Sequence, residues 1–108
     1  MKIPTPGKPV RGSQSGKPIM ALFDLLGRNW SMHIIWYLNE NQKSFSELET
    51  VCPGISPTTL NTRLKELQAT HIIEKVVAGY RLTQMGEELF TLFDPLRHWS
   101  NEWAKKFK

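Results

Sequence analysis

A chain of 108 residues, 40% hydrophobic and 22% charged with four Trp and five Phe, has room for one domain around one core and is too apolar to be disordered throughout. It holds no apolar run near the roughly 18 residues that span a bilayer, no apolar stretch after Lys2 that would form a signal peptide, and one cysteine, Cys52, which rules out an internal disulfide. These features lead us to expect a cytoplasmic protein without membrane contact. The net charge of +4 sits wholly in residues 1–23, where Lys2, Lys8, Arg11 and Lys17 precede the first acid, Asp24; from Asp24 onward ten Lys/Arg meet ten Asp/Glu.

Residues 1–17, MKIPTPGKPVRGSQSGK, carry three Pro and three Gly and offer little to bury, so they read as a flexible basic arm. The arm is either an inert tail or a cationic strand lying along a phosphate backbone. Helical periodicity begins at Pro18: Ile19, Leu22, Phe23 and Leu26 share a face and Gly27 supplies a stop. Asn29 or Trp30 opens a second helix, apolar nearly all round through Trp30, Ile34, Ile35, Trp36 and Leu38, and so expected at the centre. The polar NENQK then reads as a turn. Ser44 or Ser46 caps a third helix whose Phe45, Leu48 and Cys52 point one way.

Pro53-Gly54 interrupts the chain. Ser56 caps a fourth helix over 56–70, Pro57 fits its first turn, and Leu60, Leu64 and Leu67 form its inward stripe. Two short helices joined by a Gly-containing turn make a helix-turn-helix pattern. IIEKVV and YRLT follow as a hairpin with Ala78-Gly79 at its tip. The remainder, QMGEELFTLFDPLRHWSNEWAKKFK, is helical with a break expected at Asp94-Pro95. The fold class is therefore mainly α with a small β-hairpin, in the order of a winged helix-turn-helix.

The blocks LLGRNWSMHIIWYL, KSFSELETVCPGISPTTLNTRLKELQATHIIEK and YRLTQMGEELFTLFDPLRHW resemble the HxlR-type transcriptional regulators, a winged-helix family related to the MarR group, from about Ala21 to Lys105. The resemblance implies a DNA-binding domain over 18–108. It also implies a homodimer joined through its terminal helices, acting on neighbouring genes as repressor or activator. Members usually carry a cysteine ahead of the first helix, in some a redox sensor, and a longer wing with a basic tip. This chain has no cysteine there, and its wing is only KVVAGYR.

With Leu60 set at zero and about 100° per residue, Thr58, Asn61, Thr62 and Lys65 fall opposite the leucine stripe. Asn can pair with adenine, Thr offers a hydroxyl or methyl, and Lys reaches guanine or phosphate, so these residues and Thr59 are candidate contacts to double-stranded DNA at a pseudo-palindromic operator. The alternative for each is a solvated helix face. Ser56 can cap the helix and also help hold a phosphate; Lys43, Lys75 and Arg81 are candidate phosphate contacts. Arg63, on the flank, reads as an internal ion-pair partner or a DNA contact. Ile19, Leu22, Phe23, Leu96, Trp99 and Trp103 are candidate dimer-interface residues, because a small domain seldom covers so much aromatic surface alone. Trp30, Trp36, Tyr37 and Phe93 line either a filled core or a pocket for a small-molecule effector.

His33, His71 and His98 stand apart, without metal-ligand spacing. No phosphate loop, nucleophile elbow or paired carboxylates appear, so neither a cofactor nor an enzyme is expected. The competing function is a winged-helix protein-interaction module that does not bind DNA, in keeping with the neutral balance of residues 24–108.

Overall fold

The computed structural model describes residues 2–107. Six helices and one hairpin follow in the order α1 (Pro18–Leu26), α2 (Ser31–Glu40), α3 (Phe45–Val51), α4 (Pro57–Ala69), β1 (Ile73–Val76), β2 (Gly79–Leu82), α5 (Gln84–Thr91) and α6 (Phe93–Ala104), closed by a 3-10 turn at Lys105–Phe107. This is the winged helix-turn-helix order expected from the sequence. No helix among the described residues is long and apolar enough to cross a membrane.

The core gathers Ile34, Ile35 and Leu38 of α2 against Leu48 and Cys52, the stripe Leu60, Leu64 and Leu67 of α4, and Ile72, Ile73 and Leu82 of the hairpin. Local rules set the start of α3 and the end of α4. Ser44, not Ser46, caps α3 in a reciprocal box: its hydroxyl accepts from the Glu47 amide while the Glu47 carboxylate accepts from the Ser44 amide. Helix α4 ends with His71 in the left-handed region at φ 68°. The Ile72 and His71 amides there donate back to the Leu67 and Gln68 carbonyls, closing the last turn over two apolar side chains.

Three local expectations move. The hairpin turns at Val77-Ala78 rather than Ala78-Gly79, with Val76 opposite Gly79. Gly79 instead lies within β2 at φ 149°, so close to the Lys43 carbonyl that a Cβ would collide with it. The segment read as a plain turn also pairs with the sheet: Lys43 exchanges backbone hydrogen bonds with Tyr80 at 3.0 and 2.8 Å, so β2 is flanked on both sides. Finally, the break in the last helical stretch falls at Leu92, before Asp94-Pro95. Pro95 sits in the first turn of α6, where a missing N–H leaves no hydrogen bond unmade.

Thr83 and Gly86 fasten the hairpin to α5. The Thr83 hydroxyl accepts from the Gly86 amide at 3.0 Å and donates to the His71 carbonyl at 2.6 Å, and Gly86 lies flat against the Ile72 carbonyl with no space for a Cβ. Gly86→Ala should therefore cost about 1–3 kcal/mol through overpacking, read as a drop in Tm by differential scanning calorimetry; an unchanged Tm would show that α5 can lift from the hairpin without loss. Cys52 is fully buried, and burial pushes its thiol above the ordinary value. It should resist a thiol-specific reagent in the native protein and react at once in denaturant, and rapid native labelling would place it elsewhere.

Candidate nucleic-acid interface

Helix α4 begins at Ser56, whose hydroxyl accepts from the Thr59 amide at 3.0 Å and donates to the Thr59 hydroxyl at 2.9 Å. The cap is thus made as expected, and Pro57 follows it in the first turn. Leu60, Leu64 and Leu67 are fully buried, which turns Thr58, Asn61 and Lys65 outward to solvent with Thr59 and Thr62 half-buried beside them. Among the described residues no hydrogen bond or ion pair engages the side chains of Thr58, Asn61, Thr62 or Lys65. This side of the helix is therefore open, and its short hydroxyls and one amide offer both donors and acceptors.

The flank of α4 is occupied by a buried ionic network. Glu66, 5% exposed, accepts from Arg63 Nη1 at 3.0 Å on Oε1 and from Arg28 Nη1 at 2.5 Å on Oε2. Arg28 Nε also meets Asp24 Oδ1 at 3.4 Å, and Arg63 Nε donates to the Asn29 carbonyl at 2.8 Å. Burial opposes the charge on Arg28, yet hydrogen bonds and attraction from Asp24 and Glu66 outweigh it and hold its pKa above the ordinary arginine value. Arg63 is thus an internal partner, one of the two roles open to it. The i,i+4 spacing of Asp24 and Arg28 and the i,i+3 spacing of Arg63 and Glu66 are visible in the chain. The link between the two pairs, across 38 residues, has no signal in the sequence.

The candidate phosphate contacts divide. Lys43 is turned in: its side chain is 10% exposed, with Nζ donating to Asn41 Oδ1 at 2.7 Å and lying 3.7 Å from Glu40. The backbone pairing with Tyr80 draws Lys43 against the sheet, so its ammonium is not presented as a clamp. Arg81 is exposed but spends its charge on Glu74, directly opposite on β1, at 2.6 Å. Lys75 is exposed and lies over the Tyr80 ring at 5.7 Å. Val77 stands fully exposed at the wing tip.

The residues expected at a dimer interface are largely uncovered. Leu96, Trp99 and Trp103 are 57, 63 and 52% exposed, Ile19 and Phe23 are also exposed, and Leu22 is half-buried. Trp99 and Trp103 stack at 5.9 Å, and Phe107 meets Trp103 edge-on at 5.2 Å. Phe107 joins this surface without having been singled out by the sequence pattern, and Leu92 is likewise exposed. Of the residues considered for an effector pocket, Trp36 and Phe93 line a shallow cleft with Met32 and Leu96, whereas Trp30 packs edge-on against His33 and Tyr37 is half-buried elsewhere. His71 is at the end of α4, and His98 lies 3.5 Å from Asp94.

Residues 25–108 match the family described as HxlR-like helix-turn-helix. The HTH-type transcriptional regulator YodB of Bacillus subtilis is 33% identical over 90 residues, covering 77% of this chain and 80% of that protein. An uncharacterized HTH-type transcriptional regulator of Methanocaldococcus jannaschii is 28% identical over 90 residues, covering 80% and 85%. Among solved structures, quinone-bound YodB from B. subtilis superposes with a TM-score of 0.74 at 36% identity, over 78% of this chain and 96% of that one. A putative HTH-type regulator, ytcD, superposes with a TM-score of 0.76 at 26% identity, over 82% and 98%. With an open polar face on the second helix of its helix-turn-helix and a hairpin directly after it, this chain belongs to the HxlR-like helix-turn-helix family of transcriptional regulators.

Proposed function

We propose that the protein works in the cytoplasm as a homodimer that binds double-stranded DNA sequence-specifically, with α4 in the major groove of each half of a pseudo-palindromic operator. The observation that carries this reading is the uncommitted polar side of α4. Asn61 has both halves of its amide available for an adenine edge, and Thr58, Thr62 and Lys65 lie on the same side within reach of neighbouring bases or phosphates. Ser56 and Thr59 share a hydrogen bond at the helix N-terminus, and the Thr59 hydroxyl proton and the Thr58 amide beside them are left to meet a backbone phosphate. On the wing, Lys75 is the available cation; Arg81 would have to exchange Glu74 for phosphate. Its work is binding rather than catalysis, and an apolar effector would meet Trp36 and Phe93 in the cleft beside α6.

Dimerisation follows from the aromatic column on α6. Trp99 and Trp103, with Phe107 of the 3-10 turn after them, keep half or more of their surface for a second subunit to cover, and Ile19 and Phe23 of α1 extend the same kind of apolar surface. A two-fold pair through these helices presents two copies of α4 to successive major grooves, roughly 34 Å apart.

Replacing Asn61 by Ala should flatten base preference at one position of each half-site, a loss of about 1–3 kcal/mol in discrimination. The check is a selection of bound sequences from a random pool, compared with wild type; identical preferences would remove Asn61 from the reading face. Wild-type protein that retains no duplex at low salt, but retains a protein partner, would favour the interaction module instead. For the dimer, Trp99→Glu should place a charge in the apolar contact and shift the protein to monomer by sedimentation velocity, with a matching loss of operator affinity. A variant that still sediments as the wild type does would mean that α6 is not the contact.

A further inference from the structure

The excess charge of this chain is held in one place by the fold. The leading segment has neither helix nor paired strand, yet it is not loosely strung: the Gly7 amide donates to the Gly16 carbonyl at 2.9 Å, and Val10 and Ser13 exchange backbone hydrogen bonds at 2.8 and 3.0 Å. Pro4 is buried and Ile3 half-buried, and both line, with Ala21, Leu25 and Ala69, an apolar cleft between α1 and the end of α4. Further on, the Arg11 amide donates to Asp24 Oδ2 at 3.3 Å and the Arg11 guanidinium meets Asp24 Oδ1 at 3.3 Å. The segment is thus attached at an apolar point and at an ionic one.

Between these attachments runs a cleft whose charged lining is Lys2, Lys8, Arg11 and Arg28 against the single carboxylate of Asp24. Asp24 is 6% exposed and already receives both Arg11 and Arg28. Lys2 and Lys8 are exposed, and among the described residues neither has an ion-pair partner. With Arg11 matched by Asp24 and Arg28 by Glu66, Lys2 and Lys8 leave a local excess in a chain whose residues from Asp24 onward sum to zero. A concave surface of one sign draws ions of the other. Arg28 joins this cleft directly to the recognition helix, because its other partner, Glu66, lies one helical turn beyond Thr62 on α4.

We infer that this cleft, formed when the leading segment folds onto Asp24, is a phosphate-binding surface that holds the DNA backbone beside the groove occupied by α4. The inference rests on the DNA-binding reading proposed above. Lys2 and Lys8 make the phosphate contacts; Arg11 is a positioning residue, holding the segment on Asp24. Such contacts carry no base information, so they strengthen binding to all sequences alike and make it salt-dependent.

The test compares wild type, a K2Q/K8Q variant and Asn61→Ala by fluorescence anisotropy, over about 50 to 200 mM salt, on a selected operator and on a random duplex of about three helical turns. Each lost phosphate contact removes about 0.9 from the slope of log affinity against log salt. K2Q/K8Q removes two contacts from each subunit, four per bound dimer, so it should weaken both duplexes equally at low salt and shrink the salt-induced loss by about a hundredfold, while Asn61→Ala leaves the slope as in wild type. A K2Q/K8Q slope equal to that of a wild type that does bind DNA would overturn the cleft and leave the α4 reading intact. Wild type that binds no duplex at low salt would sink both. Titration calorimetry with inorganic pyrophosphate covers the remaining source: binding abolished in K2Q/K8Q, with an unchanged DNA slope, would assign the cleft to a free anion and refute the backbone contact.

Discussion

The orientation of α4 depends on how the charge of Glu66 is buried. A carboxylate taken out of water must be paired and hydrogen-bonded or it is strongly destabilising, and here both of its oxygens are used, one by Arg63 on the same helix and one by Arg28 from the turn after α1. The three leucines beneath α4 set its depth, but apolar contact is non-directional and tolerates some rotation about the helix axis. Hydrogen bonds are not tolerant in this way. The pairings of Glu66 and the Arg63 bond to Asn29 fix the rotation, and with it which side chains of α4 are left open. Loss of either arginine leaves one oxygen of the buried Glu66 without its partner, a cost on the order of 1–3 kcal/mol.

The same network explains a strained neighbour. Trp30 takes φ 73° just before α2, a conformation costly for a bulky side chain. The turn that forces it is held at three points: the Arg28 amide on the Leu25 carbonyl, the Ser31 amide on the Arg28 carbonyl, and Arg63 on the Asn29 carbonyl. Left-handed Trp30 brings Arg28 and Asn29 to the flank of α4, so the strain is part of the device that positions the helix. Trp30 also packs edge-on against His33, which places one large ring where the spacing alone leaves the choice between core and pocket open.

The elements were legible in the chain wherever a local rule acts. Ser44 with Glu47, Ser56 before Pro57, and the i, i+4, i+7 leucines each depend on residues a turn apart. What was not legible depends on distant partners. Lys43 looks like a free cation by sequence, and only its pairing with Tyr80, 37 residues on, turns it inward. Gly79 reads as a turn residue because glycine marks turns, whereas its actual constraint is the close approach of the Lys43 carbonyl. The Asp94-Pro95 break was displaced because proline is as well suited to a first helical turn as to a boundary, and the local pattern cannot choose between them. Arg63 had two roles open until Glu66 and Asn29 were placed beside it.

These placements set two kinds of surface apart. Along α4 the open groups are neutral hydroxyls and an amide with one lysine, chemistry that discriminates between bases and gains little from long-range attraction. The wing adds one unmatched cation, Lys75, since Arg81 is matched by Glu74 and the tip presents Val77. Residues 24–108 sum to zero charge, so the chain's net excess lies in the leading residues, which the Arg11 contact to Asp24 holds to the body. Asp24 also binds Arg28, and Arg28 binds Glu66. The chain's excess cations and the open face of α4 are therefore fastened to one buried network, so the charged surface and the open polar surface keep a fixed relation to each other.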